Sequence, residues 1–441
     1  MHFAVNAEVI WRALRLVTLG ALVCLPSVAD DTARSDEIPL ADWLHKADRL
    51  DFRWQVRVGA PWLTFQQRRL SQIEISFQVS DLLKAGISPP DLYFVVKLGT
   101  DDDHWFRGQS YRRFVAPPDL KPSDRVRTVA NLHIVPGTYR VAVMAYDAAH
   151  RRGNLVRQTL QVEPLKDDPL PGVDRDLPKV EFLPPANPMR IGRGRFTSYL
   201  TMDPWALGAG DLVLPVATTR PVLVDVVANV SLSEVTNLRY SEAPEWRYQI
   251  NAATLLQVAH VFSQMDLRSG CIRLSMVDLR RQKIFVDHVE VHALDWAAIR
   301  HDLETLNRNK IEVNALAGQK QEPAFLARYL EGLWTEPVSC QVSGSPPEHV
   351  LVLISDAFVF PDGARMTSVE SGQMPDREVY YLRLVPVVGP RWDEIRSVLK
   401  PVQPVQFDIA NSGEFRKVLA HLLGGIAGGA SNGATLPKPG H

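Results

Sequence analysis

Two short polar clusters, each closing an apolar run, hold the residue types best suited to chemistry. Val222–Ala228 is apolar except for Asp225 and leads into Asn229-Val230-Ser231-Leu232-Ser233. Val350–Ile354 is apolar without a break and leads into Ser355-Asp356. Oxygen-bearing side chains on alternate residues, joined by a carboxylate from a second segment, can converge on one hard cation. The same types also have plainer uses, as strand-end and helix-cap hydroxyls and as a carboxylate capping a turn. A cation site therefore requires elements that carry residues 229–233 and 356 to one place.

Apolar, β-branched runs of this length read as strands buried on both faces, as at the centre of a parallel sheet. From Arg220 onward, strands and helices alternate. Ile250–Met265 puts Leu255, Val258, Ala259, Phe262 and Met265 on one helical face. Ile272–Val277 is a strand that turns through Leu279–Gln282 into an antiparallel partner, Lys283–His288. Further helices are expected around Trp296–Leu306, Phe325–Trp334, Arg391–Leu399 and Glu414–Leu423, and further strands at Val379–Leu384 and Val405–Ile409. The predicted class for residues 220–426 is an α/β doubly wound, Rossmann-like domain. Both polar clusters would then lie at carboxyl ends of strands, where open sheets bind ligands.

The N-terminal half has a different grammar. Gln72–Val79 alternates polar and apolar residues, and Leu92–Leu98, Thr128–Ile134, Tyr139–Asp147 and Leu155–Val162 follow with turn residues between them. This predicts an all-β sandwich over residues 52–164. The hairpin Pro136-Gly137-Thr138-Tyr139-Arg140-Val141, followed by Ala145-Tyr146-Asp147, resembles the last hairpin of bacterial immunoglobulin-like modules. Residues 165–219 read as a Pro-rich linker with extra strands, and 427–441 as a flexible tail.

Residues 1–29 read as a signal peptide: Arg12 and Arg15 flank the apolar Leu16–Leu25, and Ser27-Val28-Ala29 supplies small residues for cleavage. The apolar run is too short to span a membrane, so no transmembrane segment is expected after cleavage, and the chain is expected in the periplasm or outside the cell. A net charge of −1 gives no electrostatic case for nucleic acid. Cys24 belongs to the leader, which leaves Cys271 and Cys340 either to pair or to stay as buried thiols.

The C-terminal half resembles a von Willebrand factor type A (VWA) domain over roughly Arg220–Ile426. The resemblance rests on Asn229-Val230-Ser231-Leu232-Ser233, where the family has Asp-x-Ser-x-Ser, on Asp356 closing a later strand, and on the element order. More narrowly, the chain resembles exported VWA-related proteins of soil bacteria such as acidobacteria. The resemblance implies a metal-ion-dependent adhesion site for Mg²⁺ or Mn²⁺, with Ser231, Ser233 and Asp356 as oxygen donors. Asn229 takes the place of the family's Asp and removes a full charge, and Asn309–Gln321 lacks the family's loop Thr. This implies a degenerate, metal-free site. The expected function is a non-enzymatic module that binds another protein through the loops around Ser231, Asp356 and Phe358–Arg377. The alternatives are an adhesion protein with a working Mg²⁺ or Mn²⁺ site and a structural component of an envelope assembly. No serine stands in a nucleophile-elbow context, which argues against a hydrolase.

Overall fold

The structure is a computed structural model of the 441-residue chain. It describes residues 38, 40–45, 48–87, 92–101, 104–114, 121–184, 190–191, 198–199, 203, 205–231, 244–305, 319–335, 347–370, 378–385 and 393–428. For 190–191, 198–199, 244–250 and 305 only the backbone is described. Residues 1–29, the stretch 309–318, Ser233, Cys340 and residues from 429 onward lie outside these ranges.

Helix α1 (Leu40–Leu44) is followed by strands β1 (Gln55–Val58), β2 (Trp62–Leu63) and β3 (Arg69–Gln78), then by helix α2 (Val79–Lys84). Strands β4 (Leu92–Gly99), β5 (Trp105–Arg113), β6 (Arg125–Ile134), β7 (Gly137–Asp147), β8 (Arg152–Val162) and β9 (Val180–Phe182) complete this half. They form two antiparallel sheets, β5-β4-β7-β8 and β1-β3-β6-β9, with β2 beside β3. The alternation along β3 puts Ile73, Ile75 and Phe77 inward, where they share a core with Phe94, Val96, Val141 and Val143 of the facing sheet. Strands β4 and β7 are apolar on both faces because α1 covers the other side, packing Trp43 and Leu44 on Tyr93, Val95, Met144 and Tyr146.

Strands β10 (Arg190–Ile191) and β11 (Ser198–Tyr199) pair with each other. Strand β12 (Leu214–Val216) leads to β13 (Val222–Asn229), α3 (Pro244–Phe262), β14 (Met265–Leu267), β15 (Gly270–Asp278) and β16 (Lys283–Glu290). Helices α4 (Trp296–Thr305) and α5 (Glu322–Thr335) precede β17 (Glu348–Asp356) and β18 (Glu378–Leu384). The chain continues through α6 (Ile395–Leu399), β19 (Val405–Ile409) and α7 (Ser412–Gly428). Six of these strands form one mixed sheet, β16-β15-β13-β17-β18-β19, with every residue of β13 buried. Val222, Val224 and Val226 face a core shared with α3 and α7, and Val227, Leu351 and Leu353 face a core shared with α5 and α6.

The expected class, an α/β doubly wound domain after an immunoglobulin-like sandwich, is corrected. Among the described residues strand outweighs helix, 41% against 26%, with several antiparallel sheets. Of the seven α-helices among the described residues, four have ten residues or fewer. Strict strand–helix alternation breaks at three places. β15 and β16 are joined by an antiparallel hairpin, β14 leaves the main sheet to pair with β12, and only the five-residue α6 forms an α-helix between β18 and β19 among the described residues. The hairpin and the short helix were legible in the residue pattern, but the pairing of β14 with β12 was not, because apolar periodicity marks where an element lies and not which neighbour it pairs with.

The Pro-rich stretch 165–184 and the segment 205–216 are packed. Val173, Leu177, Trp205, Leu212 and Leu214 enter the core shared with α3 and α7, and β9 extends the sheet at β6. The turn between β2 and β3 is the centre of this seam. Its polar residues Gln66, Gln67 and Arg68 are all buried, and a buried polar group needs partners. The Gln66 amide donates to the Ala206 carbonyl at 2.6 Å and accepts the Gly208 N–H at 2.8 Å. Gln67 donates to the Ser412 carbonyl at 3.2 Å, and Arg68 reaches Glu181 at 2.7 Å and the Ala209 carbonyl at 2.7 Å. Arg416 of α7 grips Asp168 through two bonds of 2.6 and 2.7 Å. Among the described residues no helix is long and apolar enough to cross a membrane.

Arg416 and Asp168 have side chains 5% and 17% exposed, so removing the cation strands a largely buried carboxylate. Arg416→Met is expected to lower unfolding free energy by about 3 kcal/mol. Arg175→Met, in an exposed pair with Asp176, should change it by less than about 0.5 kcal/mol. Urea denaturation of both variants checks the contrast.

Candidate functional site

Parallel pairing of β13 with β17 sets Asn229 opposite Ser355, so the two side chains stand side by side at the carboxyl ends of the strands. The Asn229 Nδ2 donates to Ser355 Oγ at 2.9 Å. The Asn229 Oδ1 accepts the Ser231 backbone N–H at 3.1 Å and also the Ser231 hydroxyl. Ser231 Oγ in turn accepts the Leu279 N–H, from the end of β15, at 2.5 Å. Ser355 donates its own proton to the Asp356 backbone carbonyl at 2.7 Å. All of these residues are buried, Asn229 at 1% exposure.

Asp356 departs from this network. Strand pleating turns it to the side of Val350, Val352 and Ile354, toward α3. Its carboxyl hydrogen-bonds Asn251 of α3. Burial raises its pKa from 3.8 to about 7, with the Asn251 hydrogen bond acting against the rise. Of the expected oxygen donors, the fold thus joins Asn229 and Ser231, sends the Asp356 carboxyl to a different partner, and leaves Ser233 outside the described residues. The donor set fits a divalent cation poorly, because both lone pairs of the Asn229 oxygen are engaged and the one carboxylate faces α3. Among the described residues no cluster of three His, Cys, Asp or Glu is placed to hold a metal ion.

Behind the strand ends, on the α5 side, lies a buried ionic group. Asp225 of β13 receives Arg273 of β15 through bonds of 2.7 and 2.8 Å, and His349 of β17 contacts its second oxygen through Nε2. A carboxylate only accepts, so Nε2 carries the imidazole proton. Burial alone would raise the Asp225 carboxyl. His349 and Arg273 outweigh burial and hold it below its ordinary value. The signal in the sequence was Asp225 itself, the lone charge in an apolar run, which demands partners. No spacing rule identified Arg273 and His349, which lie 48 and 124 residues away.

Cys271, on β15 two residues before Arg273, is disulfide-bonded. Cys340, which the sequence left either to pair with it or to stay a buried thiol, lies outside the described residues.

After β17 the chain forms a loop, 357–370, pinned at both ends. Phe358, Phe360 and Val369 are buried. The Phe358 N–H donates to Asp393 at 3.2 Å, the Phe360 N–H to Glu394 at 2.6 Å, the Val369 N–H to the Val398 carbonyl at 3.1 Å, and the Glu370 N–H to Glu331 at 2.9 Å. The Arg280 guanidinium lies over the Phe358 ring, 4.3 Å from its centre. Between the anchors, Asp362, Arg365 and Met366 are exposed, Met366 at 45%. Gly363 adopts φ +76°, a left-handed conformation that the turn requires.

No protein-family model matches the chain, and no curated protein matches it significantly.

The two buried acids predict opposite pH dependence. Folded Asp356 keeps its proton after the unfolded chain has lost one. Its contribution therefore falls as pH rises from about 4 to about 7 and stays low above that, a cost on the order of 4 kcal/mol at about 1.4 kcal/mol per unit. Asp356→Asn should match the wild type near pH 4 and exceed it near pH 8, read by denaturant unfolding. Asp225, with its lowered pKa, contributes stability above its unfolded value, lost as pH falls through the folded one. Asp225→Asn should cost about 3–5 kcal/mol at neutral pH by leaving Arg273 buried and unpaired, and the deficit should shrink in acid.

Proposed function

We propose that the protein is an exported, non-enzymatic interaction module that binds another protein through the loop 357–370 at the carboxyl end of β17. The observation that carries this reading is the loop itself. Its buried aromatic anchors and backbone hydrogen bonds hold a short tip in place, and the tip presents a cation, an anion and an exposed methionine. Binding residues are commonly carried on loops positioned by a firm scaffold, and methionine adapts to a partner's surface. The kinship to VWA domains proposed from Asn229, Ser231 and Asp356 agrees with use of this end of the sheet.

Two further observations support the reading. The hydroxyl protons of Ser231 and Ser355 are committed to Asn229 and to a backbone carbonyl, not to a general base, so neither serine is activated as a nucleophile. The disulfide at Cys271 suits an oxidising compartment, which agrees with export through the Arg12–Ala29 leader.

A photocrosslinking residue placed at Met366 in cells of the native host should give a discrete adduct. The same residue at Leu83, which is exposed at 49% on α2, should give none. Arg365→Glu combined with Met366→Asp should weaken binding of the captured partner at least about tenfold, about 1.4 kcal/mol, without moving the melting temperature. Equal labelling at both sites, or no adduct at Met366, sinks the proposal.

A further inference from the structure

The strand-end cluster has the outline of a cation site, and its hydrogen bonds say what occupies the role instead. The Asn229 amide cannot be turned over. Its oxygen faces the Ser231 backbone N–H, a donor with no freedom to reverse, at 3.1 Å. The nitrogen must then face Ser355, whose oxygen accepts it at 2.9 Å. That contact directs the Ser355 proton to the Asp356 carbonyl at 2.7 Å. On the other side, the Ser231 hydroxyl accepts from Leu279 at 2.5 Å and gives its proton to Asn229. Every proton in the chain has one direction, and both lone pairs of the amide oxygen are used.

We infer that this chain of hydrogen bonds from Leu279 through Ser231, Asn229 and Ser355 to Asp356 is a cation-free latch, tying the ends of β13, β15 and β17 together, and that the amide at position 229 is what excludes a divalent cation. The inference goes beyond the proposed interaction and does not depend on it. A cation at this place would have to break the Ser231 contacts and would meet amide hydrogens on the Ser355 side. From Asn229, Ser231 and Ser355 it would gain only neutral oxygens in exchange for water, a poor exchange for Mg²⁺ or Mn²⁺, which keep their water unless carboxylates replace it. A carboxylate at position 229 reverses each of these terms. It removes the amide hydrogens, adds a buried negative charge, and makes a cation the remedy for that charge. The interaction of the native protein with its partner should accordingly survive chelation.

The test uses the mature chain and Mn²⁺ alone as the probe, read by thermal melting and by electron paramagnetic resonance of free Mn²⁺. The wild type should melt within about 1 °C in excess EDTA and in millimolar Mn²⁺, and should leave the free-Mn²⁺ signal unchanged. Asn229→Asp should melt lower in EDTA, recover on adding Mn²⁺, and deplete the free-Mn²⁺ signal in a 1:1 ratio. Ser231→Ala, which opens the latch without adding charge, should melt lower in both conditions. Saturable Mn²⁺ binding by the wild type, reversed by EDTA, overturns the inference, and that measurement stands whether or not the variants fold. An Asn229→Asp protein that folds and ignores Mn²⁺ overturns the role given to the amide.

Discussion

A carboxylate buried in the middle of the central strand is the constraint on which the six-stranded sheet depends. Asp225 sits in a strand with no exposed residue, 2% exposed itself. An unpaired charge there would be prohibitive, so hydrogen-bond donors must arrive from both flanking strands. Arg273 does so from the register position directly opposite on β15, and His349 from β17, opposite Leu223. A one-residue slip of either neighbour would turn its donor to the other face of the sheet. The ionic group thus acts as a register pin for three strands. Replacing it by apolar residues need not weaken the fold, but leaving it half-complete would.

That register has its consequence at the far ends of the same strands. Because β13 and β17 run parallel and aligned, Asn229 meets Ser355, and the next residue, Asp356, is turned by the pleat toward α3. Two aspartates on neighbouring strands therefore meet opposite fates. Asp225 has a guanidinium and an imidazole and is held ionised below its ordinary range. Asp356 has an amide and little else, and burial pushes it up to about 7. The difference lies wholly in the surroundings, since the residue and the depth of burial are nearly the same.

The two halves of the chain meet through polar atoms as much as apolar ones. Phe65 packs against Phe415 with ring centres 6.2 Å apart, while Gln66, Gln67 and Arg68 beside it hydrogen-bond to backbone groups and an acid from the 181–209 stretch and α7. Such contacts are directional, and they fix orientation where a purely apolar seam would allow sliding. The stretch that reads as a Pro-rich connector supplies many of the partners, which is why its prolines accompany buried residues such as Val173 and Leu177.

Most individual elements were legible from apolar periodicity: the buried runs at 222–229 and 350–356, the alternating strands at 72–78 and 139–147, and the helices near 255, 299 and 326 all lie where residue patterns put them. Strand β5 escaped, because Trp105–Arg113 is an edge strand rich in arginine with no clean alternation. The doubly wound class was wrong because pairing is a long-range property: nothing local announces that β14 deserts the main sheet for β12. The polar residues of the strand ends could be named from the sequence, but their partners could not. Asn251, Ser355 and the Leu279 N–H reach the cluster only through the fold, as Arg273 and His349 reach Asp225. A chain by itself determines which groups must be satisfied, since burial of a charge or an amide is written in its neighbours. Which groups satisfy them is decided when strands far apart in sequence come within about 5 Å of each other, and only the tertiary structure sets that.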